Sequence, residues 1–284
     1  MSALLRFPRA LVGRARMLLK EARRRPADRA SIERYLAGHR PACLHLGCGI
    51  HPLPGWLNSD IESNDPRVIR LDATQRFPFA DAAFDYIFSE HMIEHLPPAG
   101  AVSMLDECLR TLKPGGTVRI STPDLAFLLA LFGNRPSTIQ QEYMEWATRT
   151  FIGPSARPGP AAVLNNFVRD WGHQFIYDEP TLRERLHVAG FVDIVRCELN
   201  ASAHEILRGL ENESRMPPGY LRMETMTFEA SRPRGVTCRG GTDAGHAAPP
   251  AGSLPPTTRA APYRGCAGAA GPAACSGRAP ASAG

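Results

Sequence analysis

No stretch of the 284-residue chain stays apolar for the roughly 18 residues that a membrane-spanning helix needs. The seven cysteines show neither the close pairs of a zinc site nor the spacing of a disulfide framework. Cys43, Cys48, Cys108 and Cys197 read instead as buried, reduced thiols of a cytoplasmic protein, and no metal ligand is assigned. The chain also lacks a basic centre. Residues 1–40 hold about eleven Lys or Arg against three acids, and the stretch after Ser231 holds six Arg against one Asp. With a formal net charge of +5, the middle of the chain is therefore acidic. That balance does not suit a nucleic-acid binder, so no nucleic acid is expected as partner.

What is present begins with Cys43-Leu44-His45-Leu46-Gly47-Cys48-Gly49, an apolar strand running into Gly-x-Gly. Glycine serves where a backbone turns sharply or a ligand approaches closely. Such a turn after the first strand of an α/β sheet is where nucleotide-like cofactors bind. About eleven residues on, a short strand ends in Asp60-Ile61, and a third ends in Asp72-Ala73. A carboxylate at the end of strand two can accept hydrogen bonds from ribose hydroxyls. Phe84-Asp85-Tyr86-Ile87-Phe88-Ser89 reads as a buried fourth strand, residues 92–96 and 105–112 as helical, and residues 117–121 as a fifth strand. This alternation predicts a parallel sheet covered on both faces.

These segments resemble class I S-adenosylmethionine-dependent methyltransferases, in particular the broad small-molecule group and a subgroup with a shortened first helix. The resemblance rests on Leu44-His45-Leu46-Gly47-Cys48-Gly49, Asp60, Asp72-Ala73, Phe84-Asp85-Tyr86-Ile87, Glu94-His95-Leu96 and Leu112-Lys113-Pro114-Gly115-Gly116, and spans roughly residues 40–230. It implies an α/β, Rossmann-like, seven-stranded and mostly parallel sheet with helices on both faces. It also implies S-adenosylmethionine as cofactor, held by Leu46, Gly47, Cys48, Gly49, Asp60, Ile61, Asp72, Ala73 and Ser89. The expected activity is methyl transfer to a hydroxyl, amine or carbon of a small-molecule, glycan- or lipid-linked acceptor. One departure is evident. Ile50-His51-Pro52-Leu53-Pro54-Gly55 replaces the usual first helix, since its prolines forbid one.

Three other readings share these residues. A nicotinamide-binding fold needs a small third residue in Gly-x-Gly-x-x-Gly, and Pro52 stands there. His91-Met92-Ile93-Glu94-His95 matches His-x-x-Glu-His, the inverted zinc-protease motif, which on a helix sets His91 and His95 on one face. A non-catalytic module that binds the cofactor is the third, against which the acids Asp60 and Asp72 weigh.

Glu90 and His91, at the end of strand four, are candidate acid–base or substrate-positioning groups, because imidazole titrates near neutrality. His173 is a third candidate, reaching over from a lid expected across residues 125–172. His45 reads as a core histidine. Residues 1–40 form a basic segment in which Leu11, Val12, Ala15, Leu18, Leu19 and Ala22 recur at helical spacing. Such a helix suits an anionic membrane surface, or packs on the domain; both stay open. A catalytic domain is expected over residues 41–230. Residues 231–284, rich in Gly, Ala, Pro and Ser without periodicity, are expected to be disordered.

Overall fold

The computed structural model describes residues 26–234. Residues 1–25, which carry most of the basic amphipathic pattern, and 235–284 lie outside the described residues. The first described element is helical, residues 26–38 (α1). Its Tyr35 hydroxyl donates to the carbonyls of Cys43 and Gly55 and accepts from the amide of Cys43, which fastens it to the first strand.

Five strands follow in parallel: β1 (Cys43–Leu46), β2 (Leu57–Asp60), β3 (Val68–Arg70), β4 (Phe84–Glu90) and β5 (Leu112–Pro123). β6 (Val192–Cys197) and β7 (Thr225–Ser231) complete a seven-stranded sheet of order β3-β2-β1-β4-β5-β7-β6, in which β7 runs antiparallel to both its neighbours. This is the α/β, mostly parallel sheet expected. β1 is buried at every residue, as a strand covered on both faces must be. Helix α2 (Pro98–Thr111) opens on Pro98, whose fixed φ and missing N–H suit a first helical position. It buries Met104, Leu105 and Cys108 against the sheet.

Four short helices gather over one end of the sheet: α3 (Leu125–Ala130), α4 (Thr138–Ala147), α5 (Pro160–Arg169) and, from between β6 and β7, α7 (Tyr220–Glu224). They share a separate aromatic core that includes Phe127, Tyr143, Phe167 and Tyr220. Helix α6 (Glu179–Val188) returns to the main core through Leu182 and Leu186. Among the described residues no helix is long and apolar enough to cross a membrane.

Several sequence expectations shift. The helix expected over residues 92–96 is a single 3-10 turn, Ile93–His95, because Pro97 and Pro98 interrupt it. Helix α5 opens on Pro160, which suits a first helical position. Residues 200–222, for which the sequence offers no pattern, are pinned by Arg119 through Glu211 and the Ala201 carbonyl.

Arg119 is fully buried on β5. It donates to both oxygens of Glu211 at 2.7 and 3.0 Å, to Glu229 Oε1 at 2.6 Å and to the Ala201 carbonyl at 2.8 Å. Removing one member of a buried ion pair strands the others without solvent, at a cost of about 3–5 kcal/mol. Arg119→Ala is expected to lose that much stability in urea denaturation, whereas Arg40→Ala on the exposed surface stays within about 0.5 kcal/mol of the parent. Equal stability of the two variants would remove Arg119 from this role.

Candidate active site

The parallel register brings the sequence candidates to one line. Leu46 lies beside Ser59 on one flank and Ser89 on the other, and Ser89 lies beside Ile120. Strand order reverses between β1 and β4, so a crevice opens at their carboxyl ends. Gly47 and Gly49 occupy this mouth with φ of +66° and +53°, a conformation that L side chains rarely adopt. A Cβ on Gly47 would collide with Met92, whereas one on Gly49 would meet open space.

Asp60 braces this turn. Its Oδ2 accepts from the Gly49 amide at 3.0 Å, and its Oδ1 accepts from the amides of Glu62 and Ser63 at 2.7 and 3.1 Å. The proline-bearing residues 50–55 are held by Asn58, which accepts from the Leu53 amide and donates to the Leu53 and Trp56 carbonyls. Ile61 is exposed at the crevice rim. Asp72 Oδ1 accepts from both the amide and the hydroxyl of Thr74, so it caps the next turn, and Ala73 is buried in the core. Burial pushes the Cys48 thiol up to about 12, which keeps it from acting as a thiolate. Ser89 Oγ is buried with no hydrogen-bond partner at the line where β1 and β4 end.

Beyond β4 lies a half-open cavity of about 280 Å³, bordered by the short helices and lined by His91, Glu94, Trp146, Trp171, Arg215 and Glu224 among others. Glu90 stands at its edge, accepting from the Asn212 amide at 3.1 Å, with Arg215 at 3.6 Å; its carboxyl is raised by burial. His91 adopts φ of +46° and turns Nε2 to Thr225 Oγ1 at 2.8 Å. Desolvation, with Arg215 and two histidines nearby, holds its imidazole neutral, well below the usual range, so it is a weak base. Better matched to proton transfer near neutrality are two other carboxyls, Glu94, which the sequence offers only as part of His-x-x-Glu-His, and Glu224, which it does not offer as a site residue. Burial raises Glu224 to about 7 and Glu94 to about 8. Tyr143 donates a short hydrogen bond to Glu224.

The histidine arrangement differs from that expected of His-x-x-Glu-His. His91 lies outside the 3-10 turn and points to β7, so it shares no helix face with His95. His95 instead meets His173, with ring centroids 4.8 Å apart. Arg215 and Glu211 are not legible as site residues, because they come from residues 200–222, which carry no periodic pattern, and Glu224 falls at the start of a late strand expected over residues 223–229, where it instead ends helix α7.

This sheet order, with a glycine turn and an acid-ended second strand at the switch point, is a Rossmann-like arrangement of the kind that binds nucleotide-like cofactors. The model of a family described as a methyltransferase domain matches residues 44–120. No curated protein matches the sequence. Solved structures similar to the chain include phosphoethanolamine N-methyltransferase 2 of Haemonchus contortus with S-adenosylmethionine (16% identity, 72% of this chain and 52% of that one, TM-score 0.38). The chain thus spans about half of that protein's length. Others are a SAM-dependent methyltransferase of Archaeoglobus fulgidus (18%, 76% and 99%, TM-score 0.40) and a possible histamine N-methyltransferase of Thermotoga maritima (16%, 76% and 97%, TM-score 0.40). The residues present fit the cofactor. The backbone at Gly49 is open, and the Asp60 carboxylate lies beside it, within hydrogen-bond reach of the Gly49 amide.

Two outcomes follow from this geometry. Asp60→Ala removes charge-assisted hydrogen bonds worth about 1.5–3 kcal/mol, so S-adenosylhomocysteine should bind about ten- to a hundredfold more weakly in calorimetric titration. Unchanged affinity would reject the assignment. Glu224 has a folded pKa of about 7 against an ordinary 4.5, so between those values the native state keeps a proton that the unfolded chain has lost. Its contribution is complete below that window and is lost as pH rises through it. Urea midpoints at pH 5 and 7.5 should therefore diverge less in Glu224→Gln than in the parent, and equal divergence would contradict the shift.

Proposed function

We propose that the protein transfers the methyl group of S-adenosylmethionine to a hydroxyl or amine of a small organic acceptor, or of the terminal unit of a glycan- or lipid-linked one. One observation carries this reading. The 280 Å³ cavity begins at His91, two residues past Ser89, which lies level with the glycine turn. The bound cofactor supplies an electrophilic methyl; the protein supplies alignment and excludes water.

The chain's residues divide that work. Gly47, Gly49 and Asp60 hold the cofactor in the crevice. Trp146, Phe151, Phe167 and Trp171 line the cavity and shield it from solvent. Their area favours a flat or apolar acceptor over a charged one. Glu224, with a carboxyl near 7, takes the acceptor's proton as the new bond forms. Arg215, beside Glu90, orients any anionic part of the acceptor.

The deciding experiment is calorimetric titration of the full chain with S-adenosylhomocysteine, followed by an acceptor panel of phenols, alcohols and amines read by S-adenosylhomocysteine release. Saturable one-site binding and turnover of an aromatic member are expected. An absence of saturable binding would overturn the reading.

A further inference from the structure

We propose that Glu94, His95 and His173 form a binding site for a divalent first-row metal ion, opening into the acceptor cavity. One ligand atom from each lies within 4.8 Å of the others. Metal bonds of about 2.0–2.2 Å would draw these atoms roughly 1 Å closer together. Two imidazoles and a carboxylate suit manganese, iron or zinc, with further positions left for a ligand from the cavity.

The carboxylate is the strongest part of the argument. Glu94 is fully buried. Its Oε2 accepts from Thr122 Oγ1 at 3.0 Å, but Oε1 has no hydrogen-bond partner. His91 Nδ1 approaches to 3.4 Å without making a hydrogen bond. A buried acceptor without a donor is costly, and a cation is the partner that removes the cost.

One imidazole is held as a metal ligand is held. His173 Nδ1 lies 2.6 Å from the Phe167 carbonyl. A carbonyl only accepts, so Nδ1 carries the proton and Nε2 presents a lone pair. His95 lies against His173, with ring centroids 4.8 Å apart, and against the Trp171–Gly172 backbone. An N–H bonded to a carbonyl is the usual outer support of a metal-bound histidine. The same Glu94 fixes the segment that brings His173 in, because its own carbonyl accepts from the amides of Gln174 and Phe175 at 2.7 and 3.1 Å.

The site's existence does not depend on the methyltransferase reading; only its role does. If the proposed function holds, an acceptor oxygen is the natural occupant of the open position, because a bound cation lowers the pKa of a hydroxyl.

The test uses full-length protein stripped with chelator and titrated with manganese(II), followed by loss of the free-ion electron paramagnetic resonance signal. Manganese disfavours thiolates, so cysteines do not compete. One ion per chain is expected, with affinity reduced at least tenfold in His173→Ala and in Glu94→Gln and unchanged in His187→Ala. His173→Ala should keep the circular dichroism spectrum and the cooperative urea transition of the parent, which shows that it is folded. Failure of the parent to take up stoichiometric manganese or zinc would overturn the inference, as would full affinity in His173→Ala. Cofactor binding without metal binding removes this site alone. Metal binding without cofactor binding removes the proposed function and leaves the site.

Discussion

The arrangement of the acceptor side depends on one buried guanidinium. Arg119 sits in the middle of β5, where an unpaired cation would be prohibitively costly, and its two carboxylate partners come from distant parts of the chain. Glu229 is its neighbour on β7, already fixed by sheet pairing. Glu211 is different. It belongs to residues 200–224, which have few regular hydrogen bonds of their own, and it also accepts from Ser121 Oγ and the Asn200 amide. Fixing Glu211 places the next amide, of Asn212, on Glu90, and brings Arg215 beside the same carboxylate. A connection between two strands thus becomes a wall of the cavity.

That pin has an electrostatic consequence. One guanidinium satisfies two carboxylates, so the buried charge is already negative before the cavity's own acids are counted. Glu94 and Glu224 then stand in low dielectric with few donors, and burial raises both. A region so arranged either keeps protons on its carboxyls or recruits a cation. Both behaviours are useful beside an acceptor that must lose a proton.

The cofactor side was more legible in the sequence than the acceptor side, and the reason is local chemistry. Strands β1 and β4 are short, apolar and bounded by glycine or acid, so pattern alone locates them, and parallel register then aligns Leu46, Asp60 and Ser89 without further information. The loop that replaces the first helix was legible too, since Pro52 and Pro54 exclude one; what pattern could not show is that Asn58 holds it. His-x-x-Glu-His failed for an equally specific reason. Its spacing means one helix face only if a helix forms. The backbone is left-handed at His91, and two prolines stop the turn after His95. The partner that His95 does find, His173, is far off in sequence and arrives through a lid whose path no local signal encodes.

Glu94 joins the two halves of this account. Its side chain reaches β5 through Thr122, its backbone carbonyl holds the residues just after His173, and one of its carboxylate oxygens lies within 4.8 Å of a ring nitrogen of each of His95 and His173. A residue serving only to fasten the lid would need the carbonyl and not the acid, and burial would then select an amide or an apolar side chain. A residue serving only as a base would not need to be the anchor for the lid. Placing both tasks on one position ties the backbone of residues 174–175 to the residue whose carboxyl lines the cavity.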